Sequence, residues 1–325
     1  MNDALIRKKR VAIITPALAA ANNGNWRTAD RWASFLSDRY AVSLHEKYEP
    51  SNDPPDLLIA LHARRSAPAV AAFAATGRPV CVVLTGTDLY RDIRSDPSAQ
   101  RSLELADRLV VLQECGLDEL SQTARNKCVV IEQSAPSLPP LEPRSGTFDL
   151  LLVGHLRAEK DPLTAARAIA RLNDPIIRLR QIGRADDPAT GQAFKERARN
   201  NPQIEMLGNQ SHDATRELIR QGRLLILPSL MEGGANVLIE AVVSGVPVLA
   251  SRIPGSIGML GADYPGYFEV GDDQALATLI KRSMIEPDYL TNLHRHCAAR
   301  AHLFEPAREQ RLTLELIDQL TRHGT

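Results

Sequence analysis

The sequence has few aromatic residues and no excess of either charge. Phe, Trp and Tyr make up 4% of the 325 residues, and 39 Lys and Arg side chains balance 39 Asp and Glu side chains. A balanced charge argues against a general nucleic-acid-binding protein, which usually carries a basic surplus. The low aromatic content, with no amphipathic basic helix, argues against a surface that lies on a membrane.

Cysteine is also scarce. The four cysteines, Cys81, Cys115, Cys128 and Cys297, form no C-x-x-C pair, so a structural zinc site is not expected. This usage fits a reducing compartment such as the cytoplasm. The sequence has no D-x-D constellation either, and we expect no obligatory metal and no cofactor.

Long apolar runs are absent as well. No run reaches the roughly 18 residues needed to span a bilayer. The basic residues Arg7 to Arg10 followed by VAIITPALAAA imitate a signal peptide, but Pro16 interrupts the apolar run and NNGNW is typical of a functional loop. We therefore expect a cytoplasmic protein.

Short apolar runs alternate with helical patterns along the chain, which is typical of doubly wound α/β domains. The predicted strands are 11–15, 42–44, 57–61, 80–84, the end of 105–112, 128–131, 148–153, 176–182, 204–207, 224–227 and 246–250. The length allows two domains, and residues 136–146, with four prolines and one glycine, are the best linker candidate.

The most informative stretch is a predicted βαβ unit with a glycine-rich turn. Strand 224–227 is followed by Gly233 and Gly234, by a helix over 235–244, and by strand 246–250. The turn lies at the carboxyl end of a strand, where open α/β sheets place their ligands.

Two carboxylates, Glu232 and Glu240, lie in this unit, and their spacing lets both face one crevice. Bare amides at a helix N-terminus suit a phosphate. Carboxylates accept strong hydrogen bonds from sugar hydroxyls. Together they suggest a nucleotide-sugar site. The alternative is an ordinary capping Glu and one surface Glu.

Two further loops carry polar groups at predicted strand ends. Residues 16–25 are rich in Asn and Gly and can offer amides to a ligand; the alternative is a plain βα turn. His62, Arg64 and Arg65 follow strand 57–61. Arginine binds oxyanions through its planar fork, and cations are not favoured at a helix N-terminus, so this placement predicts an anionic partner. The alternative is a solvated first helical turn.

The stretch PSLMEGGANVLIEAVVSGVPVLAS resembles the donor-site signature of family 4 glycosyltransferases. The resemblance implies the GT-B fold, an α/β fold with two Rossmann-like doubly wound domains facing a central cleft. Residues 1–140 would form the acceptor domain and 146–304 the nucleotide-sugar donor domain, with a C-terminal helix in 305–325 packing back onto the first. Glu232 would contact the donor hexose and Glu240 the ribose hydroxyls.

The turn 154–161 resembles the family pattern G-R-L-x-x-E-K. Lys160 matches a cation that neutralises the donor diphosphate, His155 replaces the usual Arg, and Arg157 is the weaker candidate for the second cation. A surface turn with basic residues is the alternative. The catalytic candidates are Lys160, Arg157 and Glu232. The donor-binding candidates are Gly24, Asn25, Gly154, Gly208, Gly233, Gly234, Ala235, Asn236, Val237 and Glu240.

The loop 85–90 resembles the family's H-G-x-D loop, but Thr85 stands where that loop usually has His. This departure puts an acid or base role at the position in doubt. Asp88 belongs either to the acceptor site or to the cap of the following helix. The acceptor-binding candidates are His62, Arg64, Arg65, Thr87 and Asp88.

Residues 16–29, 61–66, 84–91 and 153–157 together resemble the selenosugar synthases of selenoneine biosynthesis. That resemblance implies transfer of a sugar, N-acetylglucosamine, from a UDP-sugar donor to a selenophosphate acceptor with formation of a carbon–selenium bond. A selenium nucleophile is already anionic and needs less activation than a hydroxyl, which fits the missing His at Thr85.

Other functions remain open at this point. One is a family 4 enzyme with an oxygen acceptor, such as a glycan or a lipid-linked sugar. Another is a non-catalytic nucleotide-sugar sensor. A dinucleotide-dependent oxidoreductase is disfavoured, because no G-x-G-x-x-G follows the first strand of either domain.

Overall fold

The computed structural model describes residues 7–18, 24–142 and 144–322. The chain divides into two compact units: one runs up to Gln133 and resumes at Pro306, and the other runs from Ser134 to Glu305. Residues 19–23 of the predicted first loop lie outside the described residues.

In the described part of the first unit, a six-stranded parallel sheet has the order β2-β1-β3-β4-β5-β6. The strands are β1 (Arg10–Ile14), β2 (Ala41–His45), β3 (Leu57–Leu61), β4 (Val80–Leu84), β5 (Arg108–Val111) and β6 (Cys128–Val130). The helices are α1 (Gly24–Leu36), α2 (Ala67–Ala74), α3 (Ile93–Ser95), α4 (Pro97–Leu105) and α5 (Gln122–Arg125). The strand order reverses between β1 and β3, which creates a topological switch point there.

Both faces of this first sheet are covered, which explains its uniformly apolar central strands. Trp32, Leu36 and Ile317 pack on one face, and Val70 and Phe73 pack on the other. A strand buried on both faces needs apolar side chains at every position rather than at alternate ones. Strands β3 and β4 accordingly are buried at all five residues.

Within the described residues of the second unit, the parallel sheet again has six strands, in the order β12-β11-β10-β7-β8-β9. The strands are β7 (Phe148–Val153), β8 (Ile177–Ile182), β9 (Ile204–Gly208), β10 (Leu224–Leu227), β11 (Val248–Ser251) and β12 (Tyr267–Phe268). The helices are α6 (Pro162–Leu172), α7 (Pro188–Arg199), α8 (His212–Gln221), α9 (Asn236–Val243), α10 (Pro254–Leu260), α11 (Asp273–Ile285) and α12 (Pro287–Arg300). The order reverses between β7 and β10, so the switch point lies there.

The last helix, α13 (Pro306–Arg322), belongs to the first unit and packs against α1. Its residue Glu309 is fully buried and accepts hydrogen bonds from Arg31 Nε at 2.7 Å and from Trp32 Nε1 at 2.8 Å. A buried carboxylate needs such partners, because an isolated buried charge is strongly unfavourable. The ion pair therefore fixes α13 on α1.

The proline-rich segment belongs to the second unit, which begins at Ser134, whereas the sequence predicted that the first domain extends to residue 140. Its residues from 134 onward group with that unit. Ser137 Oγ donates to the carbonyl of Val243 at 2.9 Å, and Arg220 Nε donates to the carbonyl of Pro139 at 2.6 Å. These bonds hold the segment on α8 and α9.

No helix among the described residues combines the length and the apolar character that crossing a membrane requires.

Candidate functional site

At the switch point of the second sheet, the turns after β7 and β10 contact each other. The amide of Leu230 donates to the carbonyl of Glu159 at 2.9 Å, and Lys160 Nζ lies 2.5 Å from Glu232 Oε1. The structure therefore brings together two of the predicted catalytic candidates, which are 72 residues apart in sequence.

Glu232 is held in place from several sides. Its side chain is 8% exposed, and Ser229 Oγ donates to Oε1 at 2.6 Å. Behind it, Gly255 of α10 packs so closely that a Cβ atom there would lie 1.9 Å from the carbonyl oxygen of Glu232. The glycine thus lets α10 begin directly against the glutamate, which fixes the backbone that carries the carboxylate.

Arg157 lies in the turn after β7, as Lys160 does. Its Nε atom is buried and has no hydrogen-bond partner among the described residues. Buried polar atoms are nearly always paired, so an unpaired guanidinium N–H is a natural donor to a bound oxyanion. His155, which replaces the family's Arg, accepts a bond from the Arg184 amide through Nδ1 at 3.3 Å.

Glycines let the turns at this end of the sheet approach closely. Gly154 and Gly183 have φ of 152° and 133°, and a Cβ on Gly183 would lie 2.2 Å from the Gly154 carbonyl oxygen. Gly208, with φ of 67°, accepts a bond from the Gly183 amide at 2.8 Å. The candidates Gly154 and Gly208 therefore lie in adjoining turns, and Gly183, which was not among the candidates, packs between them.

The candidates Gly233 to Val237 lead into the N-terminus of α9. The helix begins at Asn236, one residue later than predicted, and its N-cap Ala235 makes no side-chain cap bond. The first amides of a helix have no intrahelical acceptor and carry partial positive charge. This uncapped end follows directly from the turn that holds Glu232, and it can receive an anion.

Glu240 lies on the second turn of α9, and its side chain is 10% exposed. Its Oε1 atom is 2.7 Å from Nε2 of His212, the first residue of α8. The sequence patterns did not indicate His212, because its partner lies 28 residues away on another helix.

In the first unit, His62 is buried and bonded to the turns around it. Its backbone has φ of +73°, Nδ1 accepts a bond from the Arg65 amide at 3.2 Å, and Nε2 lies 3.0 Å from Thr87 Oγ1. Because Nδ1 accepts, the ring proton lies on Nε2 and is donated to Thr87. Burial lowers the pKa of His62, so the ring is neutral near pH 7. The role of His62 in binding the acceptor stays a prediction, and a neutral ring would contribute a hydrogen bond and not a charge. Thr87 lies at this site, with its hydroxyl bonded to His62.

Asp88 also has a structural role. It is fully buried, Oδ2 accepts from the Ala63 amide at 2.8 Å, and Oδ1 accepts from the amides of Thr85 and Gly86, each at 2.9 Å. The carboxylate therefore ties the turn after β4 to the turn after β3. The following helix has no side-chain cap bond, so the alternative role of Asp88 as its cap is wrong. The acceptor-binding role of Asp88 stays a prediction.

The carboxylate that organises the nearby cations is Asp92, which the sequence patterns did not indicate. Arg64 Nε lies 2.8 Å from Oδ2, and Arg91 Nε lies 3.1 Å from Oδ1. Burial alone would raise the pKa of the Asp92 carboxyl, but the hydrogen bonds from Arg64 and Arg91 outweigh it and hold that pKa below its ordinary value. The Asp92 carboxylate therefore stays ionised and fixes both guanidinium groups.

The arginine side chains themselves reach solvent. The side chain of Arg64 is 39% exposed and that of Arg91 is 48% exposed, and Arg65 is exposed beside them. Arg64 uses Nε in the bond to Asp92, and a guanidinium has five N–H donors. The end of β3 therefore presents a cationic surface built around one buried carboxylate.

Gly24 and Asn25 are the first residues of α1. The Thr28 hydroxyl donates to the Gly24 carbonyl at 2.9 Å, which fixes the first turn of the helix. Among the described residues, no group of three or more His, Cys, Asp or Glu side chains could hold a metal ion.

A family model described as Glycosyl transferases group 1 matches residues 138–302, more than half of the chain. The chain belongs to this family. It is therefore a glycosyltransferase, and the matched residues include both glutamates, Lys160 and Arg157. This finding confirms the predicted enzyme class.

Individual relatives of this group 1 glycosyltransferase agree. Glycosyltransferase 1 domain-containing protein 1 of Xenopus tropicalis is 26% identical over an aligned length of 233, and the alignment covers 65% of this chain and 67% of that protein. The gpi3 subunit of the phosphatidylinositol N-acetylglucosaminyltransferase of Schizosaccharomyces pombe is 28% identical over 99 residues, 30% of this chain and 21% of that protein.

Solved structures show the same fold. HepE of Anabaena, crystallised with UDP-glucose, superposes with a TM-score of 0.78 at 15% identity, over 95% of this chain and 99% of that chain. The predicted α/β architecture of two Rossmann-like parallel-sheet domains, the GT-B fold, is confirmed.

Proposed function

We propose that this group 1 glycosyltransferase transfers N-acetylglucosamine from a UDP-sugar to selenophosphate and so forms a carbon–selenium bond. The second unit would hold the donor and the first unit the acceptor. The observation that carries the donor assignment is the Lys160–Glu232 pair, which lies in the same turns as Arg157, whose Nε has no hydrogen-bond partner in the described part of the chain.

The donor site offers separate groups for each part of a nucleotide-sugar. Lys160, Arg157 and the uncapped N-terminus of α9 suit the diphosphate, because each provides N–H donors or positive charge. Glu232 and Glu240 suit hydroxyl groups of the hexose and of the ribose. HepE, a structural neighbour, binds UDP-glucose, and a relative transfers N-acetylglucosamine; both support the choice of donor.

Lys160 would take part in departure of the leaving group. As the bond from the sugar carbon to the diphosphate breaks, negative charge grows on UDP, and a fixed cation beside it stabilises that charge. The bond to Glu232 holds the ammonium in place before the donor arrives. The electron pair of the broken bond leaves with UDP, and the selenium atom supplies the pair for the new bond.

The acceptor site fits a small anion that needs no base. Arg64, Arg65 and Arg91 provide cationic groups for a phosphate-like oxyanion. His62 has no basic nitrogen to spare, because Nδ1 accepts from a backbone amide and Nε2–H is donated to Thr87. A hydroxyl acceptor would require a base here, whereas an anionic selenium nucleophile does not.

The test is release of UDP from UDP-N-acetylglucosamine, with and without selenophosphate, followed by mass spectrometry of the products. We expect UDP release that depends on selenophosphate, together with a selenium-bearing N-acetylglucosamine. Binding of the UDP-sugar without turnover on selenophosphate would refute the acceptor. Oxygen acceptors, as glycans or lipid-linked sugars, would then be tested in the same assay, and failure of every acceptor would favour a nucleotide-sugar sensor.

A further inference from the structure

Glu240 is oriented by a neighbouring helix. His212 is the first residue of α8, and Ser211 caps that helix by accepting the Ala214 amide at 3.2 Å. The capped helix directs the imidazole toward α9, where Nε2 meets Glu240 Oε1 at 2.7 Å. The position of this hydrogen-bond donor is therefore set by regular secondary structure and not by a loop.

The pair lies in a partly buried environment that makes the bond important. The side chain of Glu240 is 10% exposed and that of His212 is 33% exposed. A carboxylate at this burial that lost its partner would keep its desolvation cost without compensation.

A cation, Arg216, lies one helical turn away from His212. Arg216 is buried, and its Nη2 donates to the Pro136 carbonyl at 2.7 Å and lies 3.3 Å from Ser244 Oγ. Burial lowers the pKa of the Arg216 guanidinium, and the charge of Glu240 opposes that shift. Arg216 thus adds positive charge near Glu240, but it donates its hydrogen bonds to Pro136 and Ser244. The hydrogen bond to Glu240 comes from His212.

The two carboxylate oxygens of Glu240 therefore differ in their hydrogen bonding. Oε1 is bonded to His212, and Oε2 makes no hydrogen bond to any residue that the structure describes. A ligand hydroxyl can donate to a carboxylate whose orientation is already fixed, so binding does not have to order this side chain.

We propose that His212 is a positioning residue of the donor site, which holds Glu240 so that its second oxygen accepts a ribose hydroxyl of the UDP-sugar. This inference rests on the proposed function, since it assumes that the second unit binds a UDP-sugar. The inference adds His212 to a donor site that otherwise consists of Glu232, Glu240 and the turn after β7.

Titration calorimetry of the full chain tests this role with two probes, UDP and 2′,3′-dideoxy-UDP. For His212→Ala, we expect the Kd of UDP to rise on the order of tenfold, as for loss of one charge-assisted hydrogen bond. The Kd of the dideoxy probe should not change between wild type and variant, because that probe has no ribose hydroxyl for Glu240 to accept. In turnover, the KM for UDP-N-acetylglucosamine should rise while kcat stays near its wild-type value.

His212→Gln is the conservative variant, because the Gln amide nitrogen lies the same number of bonds from Cα as Nε2 does. It should restore most of the UDP affinity. Glu217→Gln is the matched control: Glu217 is an exposed residue of α8 whose partner is Arg220, and this change should leave both dissociation constants unaltered.

The outcomes separate the inference from the function on which it rests. If the wild type does not bind UDP, the proposed donor is wrong and the inference falls with it. If the wild type binds UDP but His212→Ala binds it equally well, or loses affinity for both probes alike, the donor stands and the positioning role of His212 is refuted.

Discussion

In the described part of each unit, polar turns lie at the switch point of a six-stranded parallel sheet. The charged side chains of these turns are arranged in opposite ways in the two units. In the second unit, two carboxylates are each bonded to a nitrogen of another turn or helix: Glu232 to Lys160 Nζ and Glu240 to His212 Nε2. In the first unit, one buried carboxylate, Asp92, holds two arginines.

The difference suits the two kinds of ligand that the proposed function requires. A carboxylate that is fixed through one oxygen can accept a sugar hydroxyl with the other. A guanidinium that is fixed by one N–H keeps its remaining donors for an oxyanion. In the proposed function, the second unit would accordingly recognise hydroxyl groups and the first unit a small anion.

The largest expected effect comes from removing the cation of the turn after β7. Lys160→Ala should lower kcat by a factor of about 10² to 10³, as does loss of one group that stabilises developing charge. Initial rates of UDP release at saturating donor would measure it. Lys195→Ala, on the exposed face of α7, should retain wild-type rates, and an equal loss in both variants would argue against a specific role for Lys160.

A second large effect should follow from disturbing the packed glycines of the second unit. Gly183→Ala places a Cβ against the Gly154 backbone at a positive φ, so we expect a loss of unfolding free energy of about 1–3 kcal/mol. Urea denaturation would measure it. Gly77→Ala is the matched control, because Gly77 also has positive φ but nothing within 4 Å of its Cβ position. A similar loss of unfolding free energy in both variants would mean that the positive φ causes the loss and that the contact with the Gly154 backbone does not.

A smaller effect is expected in the first unit. Asp92→Asn keeps the shape of the side chain but removes the charge that fixes Arg64 and Arg91. The KM for selenophosphate should rise several-fold, and the free energy of unfolding should fall by less than about 1 kcal/mol, because both arginines are well exposed. The KM for the donor should stay constant, and a change in the donor KM of the same size would remove the distinction between the two sites.

The smallest expected effect is the loss of unfolding free energy at acidic pH as Asp92 becomes protonated. The pKa of Asp92 is lowered in the folded protein, so its contribution to stability is full above the unfolded pKa of about 3.9 and is lost as pH falls through the lower folded pKa. Since both arginines are well exposed, we expect less than about 1 kcal/mol. The difference in unfolding free energy between wild type and Asp92→Asn should shrink below about pH 4, and a constant difference would contradict this origin.

The strands and the polar turns that follow them could be predicted because their signals are local. Strands β3, β4, β7 and β10 begin and end where the apolar runs do, since burial on both faces leaves a continuous apolar run. The turn with Glu232 and the turn with Lys160 each follow such a run. Their meeting at the switch point is a consequence of strand order.

The partners of these residues could not be predicted. His212, Asp92 and Gly255 have no distinctive local pattern, and each acts on a residue that another turn or helix supplies. His62 was assigned to the acceptor because it follows a strand, and Asp88 because its loop resembles the family's H-G-x-D loop. The polar atoms of both side chains are bonded to backbone amides of neighbouring turns or to the Thr87 hydroxyl. Position along a strand does not indicate whether a side chain points to a ligand or ties two turns together.

The most direct test of the division between the units is to measure two constants in Arg64→Ala: the Kd for UDP and the KM for selenophosphate. We expect the KM for selenophosphate to rise on the order of tenfold, as for the loss of one charged hydrogen-bonding group, while the Kd for UDP stays at its wild-type value. Arg101→Ala, an exposed residue of α4 paired with Glu104, should change neither constant. Equal weakening of both constants in Arg64→Ala would contradict the assignment of the acceptor to the first unit.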